Sequence, residues 1–106
     1  MSSGTIKTAI DVLNLLVSHI DKTTLETELM NSGWIFAIAK GGTKSGTGKI
    51  WTSPDRQCSV RIMTKPDASS YARVYNGAGG GAPGEPALNA LGQPGNRTET
   101  HFFLTV

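Results

Sequence analysis

The sequence is poor in the residue types that build disulfide-stapled or metal-centred domains. It has a single cysteine, Cys58, which excludes an intramolecular disulfide and a cysteine metal cluster. Its two histidines, His19 and His101, stand far apart without the spacing of metal ligands. We therefore expect neither a metal site nor a cofactor, and Cys58 is interpreted as a small buried hydrophobe rather than a nucleophile.

The sequence also lacks a long apolar run. Its most apolar N-terminal stretch, residues 12–20, is interrupted by Asn14, Ser18 and His19. The sequence therefore predicts neither a signal peptide nor a membrane span. We expect the chain to act in a reducing cytosol, or to be a fragment whose export signal lies elsewhere.

Charge is unevenly distributed along the 106 residues, although the net charge is only +2. Residues 1–39 carry a net −2, residues 40–73 a net +5 and residues 74–106 a net −1. A basic middle region is typical of proteins that bind a polyanion such as nucleic acid. An ordinary solvated hairpin region is the alternative interpretation.

Two helices are predicted at the N-terminus. The first covers residues 5–20, and Thr23 with Glu26 forms a capping-box pattern that starts a second, which Gly33 ends. The apolar residues at helical spacing in the first helix are Ile6, Ile10, Leu13, Val17 and Ile20. His19 near its end is interpreted as structural.

Strands are predicted in the rest of the chain. Residues 34–39 are apolar on both faces and predict a central strand buried on both sides. Residues 50–63 predict a hairpin with Cys58 facing the core, and residues 71–76 predict a further strand. Residues 77–95 hold seven glycines and three prolines and predict a long irregular loop.

These elements predict an α+β fold in one domain, residues 1–106. Two N-terminal helices, within about residues 5–32, would pack on a small, mostly antiparallel sheet of four or five strands within about residues 34–105. Two nucleotide-binding patterns fail. The glycine-rich loop at residues 40–49 lacks the phosphate-loop spacing, and Glu85-Pro86 follows the Gly79-x-Gly81-x-x-Gly84 pattern where a helix should begin.

The C-terminal stretch, residues 96–104, is the candidate functional segment because it concentrates polar side chains before an apolar end. As an extended strand it would place Thr98, Thr100, Phe102 and Leu104 on one side. Glu99, His101 and Phe103 would face the other side. The same alternation places Tyr71, Arg73 and Tyr75 on one strand face, which is either a surface for stacking bases and holding phosphate or ordinary strand surface.

The second half of the chain resembles a known class of domains. The segments that carry the resemblance are Val60-Arg61-Ile62-Met63, Tyr71-x-Arg73-x-Tyr75-Asn76, Gly92-Gln93-Pro94 and Gly95-x-Arg97-x-x-Thr100-His101-Phe102-x-Leu104. They resemble C-terminal toxin domains of bacterial polymorphic and contact-dependent growth-inhibition systems, with small ribonuclease folds of the barnase, EndoU, colicin and RelE type. The long glycine-rich loop departs from this pattern.

The resemblance implies a metal-independent RNA endonuclease that often acts on transfer RNA. It implies a cognate immunity protein as partner and a host translation factor as a further one, without a membrane partner. It also implies delivery into the cytoplasm of a target bacterium as a fragment of a larger secreted or surface effector. A non-catalytic RNA- or protein-binding module, or an immunity or adaptor protein, is the alternative from another class.

A second resemblance covers the first half. Residues 25–34, the Lys40-Gly41-Gly42 loop and Trp51-Thr52-Ser53-Pro54-Asp55 are similar to small messenger-RNA interferase toxins with a double-stranded-RNA-binding fold. In that family a catalytic histidine follows a Gly-Ser or Gly-Thr pair. Here Lys44 follows Gly42-Thr43, so the catalytic residue is missing.

Metal-free RNA cleavage needs a base, an acid and cations that stabilise the phosphorane. His101 is assigned one of the proton-transfer roles, and Arg73 and Arg97 are assigned to hold the phosphate. Tyr75 is assigned as a weak acid and Thr100 as an orienting hydroxyl, while Glu99 is a candidate partner that fixes the His101 ring. The residues predicted to bind RNA are Lys40, Lys44, Lys49, Arg61 and Tyr71.

Overall fold

The computed structural model of the chain describes residues 6–40, 46–67, 69–80 and 84–104, with all their side chains except those of Lys40 and Arg97. The chain is α+β, with two helices at the N-terminus, a five-stranded antiparallel sheet and a third short helix near the C-terminus. The elements are α1 (Ala9–Val17), α2 (Lys22–Asn31), β1 (Ile35–Lys40), β2 (Thr47–Thr52), β3 (Ser59–Thr64), β4 (Ser70–Tyr75), α3 (Arg97–Thr100) and β5 (Phe102–Leu104).

Helix α1 is shorter than the apolar periodicity predicts. Thr8 and Asp11 form a capping box that starts it, and His19 adopts a left-handed backbone, with φ 62°, just past its end. The predicted apolar stripe is partly wrong, because Ile10 and Val17 are about half exposed. The buried residues of this helix are Val12, Leu13 and Leu16.

Helix α2 starts two residues earlier than predicted. Asp21 is its N-cap and accepts a hydrogen bond from the Thr24 N–H, so the Thr23 capping box is wrong. Gly33, with φ 85°, follows the C-cap as expected. No helix in the described ranges is long and apolar enough to cross a membrane.

The sheet order is β1-β2-β3-β4-β5, so each strand pairs with its neighbour in sequence and every pairing is antiparallel. The helices cover one face, called here the helix face. Its core joins residues of α1 and α2 to alternate residues of the strands, among them Trp51, Val60, Ile62 and Val74. Cys58 belongs to this core and is 2% exposed, which confirms its predicted position.

Strand β1 corrects the sequence-based expectation. Residues 34–39 were expected to form a central strand, but β1 is an edge of the described sheet and pairs only with β2 there. Ile35, Phe36 and Ile38 are 61%, 48% and 70% exposed. An unbroken apolar run specifies a strand, but it does not specify how many neighbours that strand has.

Alternation puts the remaining strand residues on the other face of the sheet, called here the second face. A small apolar cluster of Ala39, Met63 and Tyr71, with Ile50 packed against it, lies there. The turn at residues 77–80 covers one end of this face, because Ser59 Oγ donates to the Gly77 carbonyl at 2.6 Å and accepts from the Gly80 N–H at 3.1 Å. Beyond this turn the chain returns through an isolated bridge between Tyr75 and Ala87.

Candidate active site

Four of the predicted site residues share the second face of the central strands. Tyr71, Arg73 and Tyr75 alternate along β4 with Ala72 and Val74, which are fully buried in the core under the helices. Arg61 on β3 lies directly opposite Arg73. The period of two that the sequence shows therefore places three of these side chains in a row and the fourth beside them.

Helix α3 places the C-terminal histidine on this face. Asn96 and Glu99 form a capping box, in which Asn96 Oδ1 accepts from the Glu99 N–H at 2.8 Å and Glu99 Oε1 accepts from the Asn96 N–H at 3.0 Å. His101 is the C-cap with extended backbone. The His101 ring lies 4.8 Å from the Tyr71 ring, centroid to centroid, tilted by 38°.

The predicted strand alternation across residues 98–101 is therefore wrong. Residues from Arg97 to Thr100 form a helical turn, and β5 begins only at Phe102. The Asn96 and Glu99 side chains satisfy backbone N–H groups at the start of the turn, which favours helix over strand. Glu99 thus caps α3 rather than standing beside His101 on a strand.

Thr100 and Arg73 form the junction between α3 and the sheet. Thr100 is fully buried, and its Oγ1 accepts a hydrogen bond from Arg73 Nη2 at 3.2 Å. The Arg73 guanidinium carbon also stands 5.8 Å from the Tyr75 ring centroid. Arg73 is therefore held from two sides, and one edge of its guanidinium is positioned by the same turn that carries His101.

The two arginines form an electrostatically unfavourable pair. Like charges directly opposite one another on adjacent strands destabilise a sheet. The Nε atoms of both Arg61 and Arg73 are buried, and within the described part of the chain neither has a hydrogen-bond partner. Both side chains as a whole are only partly buried, so an oxyanion such as a phosphodiester can approach the guanidinium groups and supply the negative charge that this pair lacks.

The second-face residues Arg61, Tyr71, Arg73, Tyr75 and His101 are called here the strip. Within it, Tyr75 is buried, with 4% exposure. Burial raises the pKa of its phenol above 10.0, a rise that the neighbouring Arg73 and Arg61 partly oppose. Tyr75 therefore keeps its proton across the neutral range and is a hydrogen donor there. Tyr71 is also buried, at 7% exposure, so the expected platform for stacking bases is not formed by these two rings.

Glu85 is a residue near this strip that the sequence did not single out. Its Oε2 accepts the Gly79 N–H at 3.0 Å, and its side chain lies so close over Gly77 that a Cβ there would come within 2.5 Å of Oε2. Its charge contributes to raising the pKa of Tyr75. The glycine- and proline-rich sequence around Glu85 gave no indication of its role. In the structure, the bridge between Tyr75 and Ala87 brings Glu85 close to Tyr75.

Lys65 is a second residue that sequence reasoning missed. It follows β3, and its Nζ stands 5.7 Å from the Tyr71 ring centroid and 5.7 Å from that of Phe103. Its position in a loop beside a proline gave no sign of these contacts. Lys65 is therefore a cation at the same end of the second face as His101.

Lys49, one of the predicted RNA-binding lysines, lies apart from this group. Lys49 lies within β2 on the helix face, where its Nζ is 3.7 Å from Glu26 Oε2 and 4.6 Å from the Phe36 ring centroid. The expectation that it belongs to a loose loop is wrong, because β2 begins at Thr47. Lys44 and the side chains of Lys40 and Arg97 lie outside what the structure describes; the backbone of Lys40 ends β1, and that of Arg97 starts α3.

Clefts elsewhere on the described surface are not part of this strip. One of about 310 Å³ lies beside the start of α1 and includes Lys7, Asp55 and Cys58 in its lining. One of about 250 Å³ lies between α2 and the sheet and includes Lys22 and Ile38. Among the described residues, no three His, Cys, Asp or Glu side chains come together as metal ligands would.

The chain was compared with protein-family models, curated proteins and solved structures, and none of the three comparisons found a match.

Proposed function

We propose that this protein is a metal-independent endoribonuclease that cuts RNA by transphosphorylation. The observation that supports this most is the pair Arg61 and Arg73, opposite one another with buried, unpartnered Nε atoms in the described structure. His101 lies at the same face, stacked against Tyr71, and Thr100 links its turn to Arg73. A phosphate bound by the two arginines would lie within the group of residues that metal-free cleavage requires.

The proton transfers are assigned from the protonation state of Tyr75. A tyrosine phenol is protonated at neutral pH, and burial raises the pKa of Tyr75 further, so this side chain enters the reaction as a proton donor and not as a base. Tyr75 then gives its proton to the leaving 5′-oxygen, and His101 takes the proton of the attacking 2′-hydroxyl. The 2′-oxygen forms a bond to phosphorus as the bond to the 5′-oxygen breaks, which leaves a 2′,3′-cyclic phosphate and a free 5′-hydroxyl.

The arginines stabilise the charge that develops on the phosphorane oxygens. A guanidinium offers two parallel N–H donors to one phosphate, which an ammonium cannot do. Thr100 orients Arg73, and Arg97 starts the turn that carries His101. Removing one such donor in an enzyme active site typically costs about 10²- to 10³-fold in rate.

The test is cleavage of a short single-stranded RNA, containing all four nucleotides, in the presence of EDTA. We expect the wild-type protein to cleave this RNA and mass spectrometry to show a cyclic phosphate on the upstream product. An RNA with a 2′-deoxy nucleotide at the cleavage site should not be cleaved. His101→Ala should abolish cleavage. His19→Asn is the matched control, since His19 is exposed, and asparagine tolerates its left-handed backbone.

Three outcomes would overturn this proposal or part of it. Cleavage that His101→Ala leaves unchanged would remove His101 from the reaction. An RNA that the wild-type protein binds but leaves intact would favour a non-catalytic RNA-binding module. Cleavage that EDTA stops and added metal restores would replace the metal-free mechanism.

We also propose, from the sequence resemblance, that the nuclease acts as a toxin domain. Its RNA would be transfer RNA, its neutralising partner a cognate immunity protein, and its place of action the cytoplasm of a target bacterium, reached as part of a larger effector. Expression in bacteria tests this: wild-type protein should arrest growth, and His101→Ala should not. Normal growth with an active, well-expressed wild-type protein would contradict the toxin assignment and leave the nuclease activity standing.

A further inference from the structure

Phe103 is an exposed aromatic residue beside the proposed catalytic strip. It lies on β5 directly opposite Tyr71, and it is 64% exposed. His101 precedes it by two residues in extended chain, so their side chains belong to the same face, about 7 Å apart along the backbone. The flanking residue Leu104 is buried in the core, which holds the short strand in place.

Lys65 adds a cation to this position. Its Nζ is equally distant, at 5.7 Å, from the ring centroids of Phe103 and Tyr71. The His101 ring contacts the same Tyr71 ring at 4.8 Å. An exposed ring, a cation and the proposed base of the reaction are thus connected through one buried tyrosine.

We propose that Phe103 and Lys65 form a subsite for one unpaired nucleobase and the phosphate next to it. The inference rests on the proposed function, and it names the substrate class as single-stranded RNA. A base stacks on an aromatic ring only when its own face is free, and in a duplex that face is covered by neighbouring bases. Lys65 then contacts a backbone phosphate while the adjacent base lies on Phe103.

In this proposal Phe103, and not the tyrosines of β4, is the residue on which a base stacks. Tyr71 and Tyr75 are buried, so neither ring offers a free face of the kind that Phe103 does. Phe103 lies at the edge strand β5, where a nucleotide next to the cleaved bond can reach it from His101. The base is therefore recognised at the edge of the sheet, and the phosphate that is cleaved is held by the arginines nearer the centre of the sheet.

The opposite edge of the sheet provides a matched control. Phe36 on β1 is 48% exposed and carries Lys49 above its ring at 4.6 Å, so it forms the same pair of residue types. It lies on the helix face, remote from His101. Phe36→Ala removes an exposed aromatic ring without touching the proposed subsite.

The experiment compares Phe103→Ala, Phe103→Trp, Lys65→Met and Phe36→Ala with the wild type. We measure kcat and KM on single-stranded RNA, and Kd for an uncleavable 2′-O-methyl oligonucleotide by fluorescence anisotropy. Phe103→Ala should weaken oligonucleotide binding about tenfold, Phe103→Trp should restore it, and Phe36→Ala should leave it unchanged. Lys65→Met should weaken binding and lower the salt dependence by about one phosphate contact.

Failure of this inference is separable from failure of the nuclease proposal. If wild-type protein cleaves RNA but Phe103→Ala leaves KM and Kd unchanged, the subsite is wrong and the nuclease stands. If the wild-type protein does not cleave, the uncleavable oligonucleotide still tests the subsite by its dependence on Phe103. Equal affinity for a fully paired duplex and a single strand would also overturn it. Circular dichroism of each variant checks that the fold is retained.

Discussion

Arg61 and Arg73 lie directly opposite one another on adjacent antiparallel strands, and the Nε atoms of both are buried without a hydrogen-bond partner in the described structure. A buried donor left unpaired costs about 1–3 kcal/mol, and like charges in cross-strand register add repulsion. The pair is therefore unfavourable for the folded protein alone. A bound oxyanion would offset the repulsion between the two charges.

Replacing Arg61 should stabilise the fold while impairing the proposed activity. Arg61→Met keeps an unbranched side chain, removes one charge and removes one unpaired donor, so we expect the free energy of unfolding to rise by about 1 kcal/mol. RNA cleavage should fall about 10²-fold. Urea denaturation at low ionic strength measures the first effect. Arg56→Met, on an exposed turn, is the control and should change neither quantity. Lower stability in Arg61→Met would show that the arginine pair is structural.

Inorganic phosphate should stabilise the wild-type protein through the same pair. A ligand that binds only the folded state at 100 times its Kd adds about 2.7 kcal/mol to the free energy of unfolding. Thermal melts with increasing phosphate, against chloride at equal ionic strength, measure this effect. Arg73→Met should abolish the difference between the two salts. An equal phosphate effect in wild type and Arg73→Met would place the anion elsewhere.

Stability should fall at high pH because of Tyr75. Burial raises the pKa of its phenol above 10.0, so the folded protein holds a proton that the unfolded chain releases. Stability is therefore full below about pH 10 and is lost as the pH rises through the raised pKa. Tyr75→Phe removes this contribution and should flatten the decline above about pH 10.

The comparison for Tyr75 is made in a Cys58→Ala background. Burial also raises the pKa of the Cys58 thiol above 9.0, so the thiol adds a decline of the same sign. Urea denaturation at each pH gives the free energy of unfolding. If the free energy of unfolding falls equally with pH in the proteins with and without Tyr75→Phe, the prediction is wrong.

Glu99 should act through the cap of α3 and not through its charge near His101. Its Oε1 accepts the Asn96 N–H at 3.0 Å, a bond that a glutamine oxygen can also accept. We expect Glu99→Gln to retain most RNA cleavage and Glu99→Ala to lose more, because only the latter loosens the turn that carries His101. Cleavage rates of the two variants decide this. A loss in Glu99→Gln as large as in Glu99→Ala would mean that the carboxylate charge is needed.

Local sequence patterns determined much of this protein. Alternation along residues 71–75 and 58–63 placed Arg73 with Tyr71 and Tyr75, and buried Cys58 in the core, as the structure has them. The glycine- and proline-rich stretch is irregular where it is described, with isolated bridges only. These features follow from the side-chain period of a strand and from backbone restrictions, which act between near neighbours in sequence.

Other features depended on contacts between distant residues. The sequence did not show that Arg61 and Arg73 oppose each other, that Glu85 lies over Gly77, or that Lys65 stands between Tyr71 and Phe103. It also misplaced β1 in the sheet centre, because an apolar run carries no information on the number of its neighbours. Strand order and register bring together residues that are far apart in the chain, so the sequence determined which side chains are available, and only the tertiary structure decided which of them meet.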